Sequence, residues 1–191
     1  MALWLALLTS GYAAVVRYKS TAGEHGEIPA QWPSASALAR SSVGKTLVMA
    51  AHPHCPCTRA SISELARLLS RAGPGVTAQV LFMTPSDVAP GWEETALFRR
   101  AQEIDGVTVV RDRDGVEAER FGLRTSGHTA LYDENGTLLF HGGITPARGH
   151  EGESAGQLAV VKLVRGESAT EHEAKVFGCG LKDHQPQGGS P

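Results

Sequence analysis

The sequence predicts an α/β fold: a mixed central sheet with helices on both faces and a β-hairpin near the C-terminal end. Three observations lead there. Apolar runs of strand length alternate with stretches of helical spacing between residues 46 and 143, the pattern of strands joined through crossover helices. Two of those runs, 46–51 and 76–83, are apolar along most of their length, as strands buried on both faces are. Late in the chain Asn135-Gly136 stands between two apolar runs, a strong short-range cue for a hairpin.

Taken in order, the chain opens on an apolar segment from Ala2 to Val16, broken only by Thr9-Ser10-Gly11-Tyr12. The run is about fifteen residues long, short of the roughly 20 that a membrane span needs. No basic residue precedes it, and Arg17 and Lys19 follow it. Three readings compete for residues 1–17: a signal segment, a membrane anchor and a buried helix. The polar stretch 18–33 reads as a linker, which favours export. The expected location is therefore the extracytoplasmic (periplasmic) face, with the chain membrane-anchored or released. Arg17 and Lys19 oppose that orientation. The folded domain is expected at 34–183, followed by a disordered tail at 184–191 made largely of Gln, Pro and Gly.

Within the domain, a short amphipathic piece at 34–40 precedes Gly44-Lys45-Thr46. That triplet is shaped like the end of a phosphate-binding loop. The required upstream glycine is Ala39, however, and the triplet leads into a strand rather than opening a helix. Strand 46–51 follows. Ile62, Leu65, Ala66, Leu68 and Leu69 then recur at helical spacing over 59–72, and Gly73-Pro74-Gly75 stops that helix. Next come strand 76–83, a helix over 92–103 with Ala96, Leu97 and Phe98 on its apolar side, and strand 107–110. Asp112 to Gly115 turns into a brief helix ending at Phe121-Gly122. The hairpin strands lie at 129–133 and 137–140, and a last helix at 155–165.

Composition narrows the function. A length of 191 residues suits one domain with tails. The net charge of −2 is spread along the chain, which excludes nucleic acid as a partner. Three cysteines are too few for a disulfide scaffold and suit a redox or metal site with one cysteine over.

Two of those cysteines lie in Ala51-His52-Pro53-His54-Cys55-Pro56-Cys57-Thr58, where a strand gives way to a helix. The first turn of a helix offers unpaired N–H groups and a positive dipole end. Both favour thiolate, the form that attacks disulfides or binds soft metals. His54 could lower the pKa of Cys55 or bind metal, or simply pack, and His52 suits a structural role. If the hairpin starts and returns at this edge of the sheet, the loop 142–152 lies on the same face. Arg148 and His150 could then stabilise a thiolate, hold a metal or bind an anionic substrate, or only close the loop. Cys179 follows the last helix by enough chain to return to this face, as a resolving thiol, a third metal ligand or a buried apolar residue.

A buried strand, a Cys-Pro-Cys helix start and a late hairpin resemble the thioredoxin superfamily. Val109 to Gly115, Phe121 to Arg124 and Leu131 to Gly136 resemble its TlpA-type, membrane-anchored periplasmic members. Segments His52 to Arg59, Gly142 to Gly152 and Val176 to Cys179 are similar, more narrowly, to the RedB-type branch. The resemblance implies a thioredoxin-like three-layer fold and a thiol–disulfide oxidoreductase acting on protein thiols or disulfides, with no cofactor required. Cys55 would attack and Cys57 resolve. With one residue between them, their disulfide ring would be small and strained, hence relatively oxidising. The chain departs from thioredoxins in having Cys-x-Cys for Cys-x-x-Cys. It also places Gly127 where they carry a cis-proline, and a trans bond is expected there. His128, next to Gly127, resembles the histidine of Sco-type copper chaperones. That alternative implies a metallochaperone binding copper through Cys55, Cys57 and His128, with a copper-accepting protein as partner; two thiolates and an imidazole suit Cu(I).

Overall fold

The computed structural model describes residues 2–182, so the tail expected at 184–191 lies outside the described residues. Five strands form one sheet: β1 (Lys45–Ala51), β2 (Val76–Thr84), β3 (Val107–Arg113), β4 (His128–Tyr132) and β5 (Leu138–Gly143). Their spatial order is β3-β2-β1-β4-β5. β1 runs parallel to β2 and β2 to β3, whereas β4 is antiparallel to both β1 and β5. The helices are α1 (Ala2–Ser20), α2 (Pro56–Ala72), α3 (Ala96–Gln102), α4 (Val116–Arg120) and α5 (Ala155–Val164).

β1 is the middle strand, and its sequence explains why. Leu47, Met49 and Ala51 point into a core shared with Ile62, Leu65 and Leu68 of α2 and Val160 of α5. Val48 and Ala50 point the other way, against Ala118, Phe121 and Tyr132. With helices over both faces, no position from 47 to 51 is left for a polar side chain. Each of the fully buried leucines contributes about 1.5–3 kcal/mol by leaving water.

Element edges differ from the sequence reading where a cap or a partner strand decides them. α2 begins at Pro56 rather than near 59, because Cys55 is its N-cap and Pro56 sits in the first turn, where a proline costs no hydrogen bond. α3 starts only at Ala96, since the Thr95 hydroxyl accepts from the Phe98 N–H; the stretch expected to be helical from 92 is a turn. β3 extends past 110 to Arg113 because its pairing with β2 continues to Thr84.

Residues 21–32, read as linker, run along the domain. The Gly23 N–H donates to the Val176 carbonyl at 2.8 Å, Gly26 to Gly122 at 2.8 Å and Trp32 to Gly136 at 2.7 Å. No helix among the described residues is long and apolar enough to cross a membrane. α1 leaves Trp4, Leu5, Leu7 and Tyr12 exposed.

The loop before β4 lies against α2 without room for a side chain at Gly127. Its φ is +88°, and an added Cβ would come within 2.4 Å of Ser61 Oγ. Its N–H donates to the Ala50 carbonyl at 2.8 Å, and the described peptide bonds are all trans. Gly127→Ala should therefore destabilise the fold by about 1–3 kcal/mol, read as a lowered urea midpoint. Adding Ser61→Gly should recover the steric part; a midpoint unmoved by Gly127→Ala would refute the account.

Candidate thiol site

The site forms where β1 ends. Cys55 N–H donates to the His52 carbonyl at 3.2 Å, a tight turn that stands Cys55 at the first turn of α2. The Thr58 hydroxyl donates to the same carbonyl at 2.9 Å. The His52 N–H donates to Ser126 Oγ at 2.9 Å, and Ser126 Oγ lies 2.7 Å from Thr58 Oγ1. Because the Thr58 proton is already used, Ser126 is the donor between the two hydroxyls. Both are buried, so the loop before β4 is fastened to the Cys-Pro-Cys turn by a closed set of bonds.

The same loop carries the third cysteine. Ser126 N–H donates to the Cys179 carbonyl at 2.9 Å, and Leu181 N–H to the Arg124 carbonyl at 2.9 Å. Thr125 and Gly180 form an antiparallel bridge. Residue 178 has to be glycine, since a Cβ there would sit 1.9 Å from the Ser126 carbonyl oxygen. This short pairing brings Cys179 Sγ to 2.8 Å from Cys55 Sγ. The sulfurs of Cys55, Cys57 and Cys179 all lie within 4.8 Å of one another, the one such donor group among the described residues.

The three thiols are not equivalent. Cys55 is pushed strongly towards thiolate, chiefly because Cys179, and then Cys57, donate hydrogen bonds to its sulfur. Its place at the start of a 17-residue helix acts in the same direction. Cys57 is pushed the other way by its bonds to Cys179 and Cys55 and by burial, and stays a thiol. Cys179 is raised by its bond to Cys55. Access also differs: Cys55 and Cys57 are 3% and 6% exposed, whereas Cys179 is half-buried and borders a cavity of about 660 Å³. Tyr18, Gly23, Arg124, Thr125 and Arg148 are among the residues that line that opening.

Arg148, named from the sequence, belongs to this wall. Its Nη1 donates to the Gly178 carbonyl, its guanidinium lies 4.8 Å over the Tyr18 ring, and its charge pulls Cys179 towards thiolate. His150 is exposed and bonds locally, its Nδ1 2.8 Å from the Arg148 carbonyl oxygen. His54 turns away to Trp92, with Nε2 3.0 Å from its carbonyl oxygen and ring centroids 4.4 Å apart. His128 is buried at the start of β4 and outside the sulfur group; its neighbours are the rings of His25 and His141, at 5.9 and 6.0 Å. His128, expected beside Cys55 and Cys57, thus stands apart from them, and the third group gathered with the two sulfurs is Cys179. Ser126 and Thr58 were missed: serine and threonine are ordinary in loops and first turns, and only the three-dimensional fit marks them.

The sequence matches no protein-family model and no curated protein. Solved structures do share the fold. A hypothetical protein from Sinorhizobium meliloti 1021 is 19% identical over 83% of this chain and 96% of its own, with a TM-score of 0.62. An uncharacterized conserved protein from Geobacillus kaustophilus is 17% identical over 88% of this chain and 98% of its own, with a TM-score of 0.63. A looser likeness, TM-score 0.48 at 20% identity over 78% of this chain and 99% of the other, is to a thioredoxin-like superfamily protein. In this chain β1 is flanked by parallel β2 and antiparallel β4, and a cysteine caps the helix that leaves β1. The fold is thioredoxin-like.

The hydrogen bonds make a direct prediction. In an acid titration of thiolate ultraviolet absorbance, one thiolate should persist well below the ordinary cysteine range. It should vanish in Cys55→Ser, and its midpoint should rise in Cys179→Ser. A wild-type midpoint near the ordinary value of about 8.5 would refute the assignment.

Proposed function

We propose that this protein is a thiol–disulfide oxidoreductase whose exchanging pair is Cys55 and Cys179. The observation that carries the reading is the 2.8 Å contact between their sulfurs, made at the start of α2. The adjacent Cys57, expected from the sequence to resolve the mixed disulfide, is held as the neutral thiol and is the weaker nucleophile. Protein thiols and disulfides are the substrates, reached through the opening beside Cys179. We further read the protein as extracytoplasmic and nearest the RedB-type branch, from the apolar N-terminal run and the segments around residues 52–59, 142–152 and 176–179.

In the oxidising direction a substrate thiolate attacks Sγ of Cys179 in a Cys55–Cys179 disulfide. The bond between the two protein sulfurs breaks, and Cys55 leaves as the thiolate that its donors stabilise; a low-pKa leaving group departs fastest. The second substrate thiolate then attacks the substrate sulfur of the mixed disulfide. That step releases oxidised substrate and returns Cys179 as a thiol after one proton is taken up. Two electrons have passed from substrate to the cysteine pair. Reduction of a substrate disulfide runs through the same steps backwards.

Oxidising the protein in glutathione buffers and mapping the product by peptide mass should give a Cys55–Cys179 bridge. Cys57→Ser should keep a reversible two-electron titration, while Cys55→Ser should abolish it. A Cys55–Cys57 bridge as the sole product would overturn the assignment of Cys179.

A second reading rests on the three gathered sulfurs: a module that carries Cu(I) to a copper-accepting protein. Three thiolates suit a soft, low-coordinate ion. Anaerobic Cu(I) titration of the reduced protein should then give one tight equivalent. It should be lost in Cys179→Ser and kept in His128→Gln; loss in His128→Gln alone would restore the histidine as a ligand.

A further inference from the structure

Apart from the cysteines, one group of side chains stands together with no assigned task. His128 opens β4, and His141 lies on β5 opposite Ala130. Residues 128 and 130 share a face of the hairpin, so His128 and His141 are diagonal neighbours on it. His25 arrives from the segment that runs along the domain. The three ring centroids form a nearly equilateral triangle with sides of 5.8, 5.9 and 6.0 Å. They border a cavity of about 340 Å³ that also touches Glu173 and Lys175.

We propose that His25, His128 and His141 bind a divalent transition-metal ion of the zinc class, at a site separate from the cysteines. The decisive residue is His128. It is fully buried, yet among the described residues neither of its ring nitrogens has a hydrogen-bond partner. Buried polar atoms are paired in the great majority of cases, and an imidazole facing two others over a cavity is satisfied by a cation. Burial, then the neighbouring His141 and His25, hold the His128 pKa down at about 3, so the ring is neutral and its lone pair is free. Nδ1 of His25 lies 2.9 Å from the Gly26 carbonyl oxygen. As the donor it leaves Nε2 to face a metal, the arrangement that fixes the tautomer of ligating histidines.

Spacing sets what binding must do. Metal–nitrogen bonds of about 2.0–2.1 Å would bring three ring centroids to roughly 5–5.5 Å. The observed triangle is wider by about half an ångström, and its nitrogens are not yet gathered as the three sulfurs are. His128 is fixed by the sheet, while His25 is exposed and His141 half-buried, so those two close the site by turning their rings. Glu173, bridged through its backbone to His141, supplies a carboxylate on the same cavity. Lys175 is the opposing charge there; its side chain is exposed and free to extend into water. Three imidazoles with an oxygen donor nearby suit zinc-class ions rather than the soft Cu(I) that thiolates prefer.

The test uses the full chain with all three cysteines changed to serine, which removes the thiol site and makes the outcome independent of the redox reading. Titration with Zn(II), followed calorimetrically, should give one equivalent. His25→Ala and His141→Ala, each made singly, should weaken it by about 100-fold. Co(II) should give a visible spectrum of nitrogen and oxygen coordination that His128→Gln abolishes. His25 is exposed, so its variant keeps the question open even if His128→Gln fails to fold. No binding to the cysteine-free chain, or binding unchanged in both alanine variants, overturns the proposal.

Discussion

The hydroxyl pair of Thr58 and Ser126 is the constraint on which the cysteine site depends. It joins two segments that the sheet alone would leave merely adjacent: the turn leaving β1 and the loop entering β4. Through the Thr58 hydroxyl and the His52 carbonyl it sets the turn from which Cys55 projects. Through Ser126 N–H and the Gly178 approach it sets where the C-terminal segment can lie, and hence where Cys179 stands. The loop before β4 has no proline. Gly127 at positive φ and the serine before it do the positioning, with the glycine giving the close approach and the serine the bonds.

With that geometry fixed, the electrostatics follow. One sulfur at a helix start accepts from two others, so negative charge collects on Cys55 and protons on Cys57 and Cys179. The charged sulfur is buried, as Cys57 is, and the half-open sulfur of Cys179 is protonated. Access from outside and charge stabilisation thereby fall on different atoms. Arg148 adds to this division. It braces the carbonyl of Gly178 and lays its charge beside Cys179 from outside the sheet.

Much of the fold is legible in the sequence, because burial on both faces leaves an unmistakable mark. The runs at 46–51 and 76–83 admit almost no polar residue, and Asn135-Gly136 supplies the turn that β4 and β5 need. The Cys-Pro-Cys helix start is equally plain. What the sequence conceals is every contact made across large separations. Nothing local ties Cys179 to Cys55, or His25 to the hairpin, and segment 21–32 is polar enough to read as linker although it bonds along the domain. His128 is marked by its place after Gly127, yet its ring neighbours are His25 and His141, and the three sulfurs gather without it. Its own strand shows which face it shares, not which loop covers that face.

Cys55 and Cys179 stand 124 residues apart in the chain, and that distance has a consequence for when the thiol site is complete. Closing a contact between remote segments costs more chain entropy than closing a local one, and folds rich in such contacts form more slowly. β4, β5 and α5 all lie between the two cysteines in the chain, so the pairing of the last segment with the loop at Ser126 closes over that whole stretch. Without that pairing Cys55 lacks its strongest donor and is drawn towards thiolate only by Cys57 and the start of α2. The full pull towards thiolate at Cys55 is thus a property of the finished fold, absent from any shorter piece that ends before Cys179.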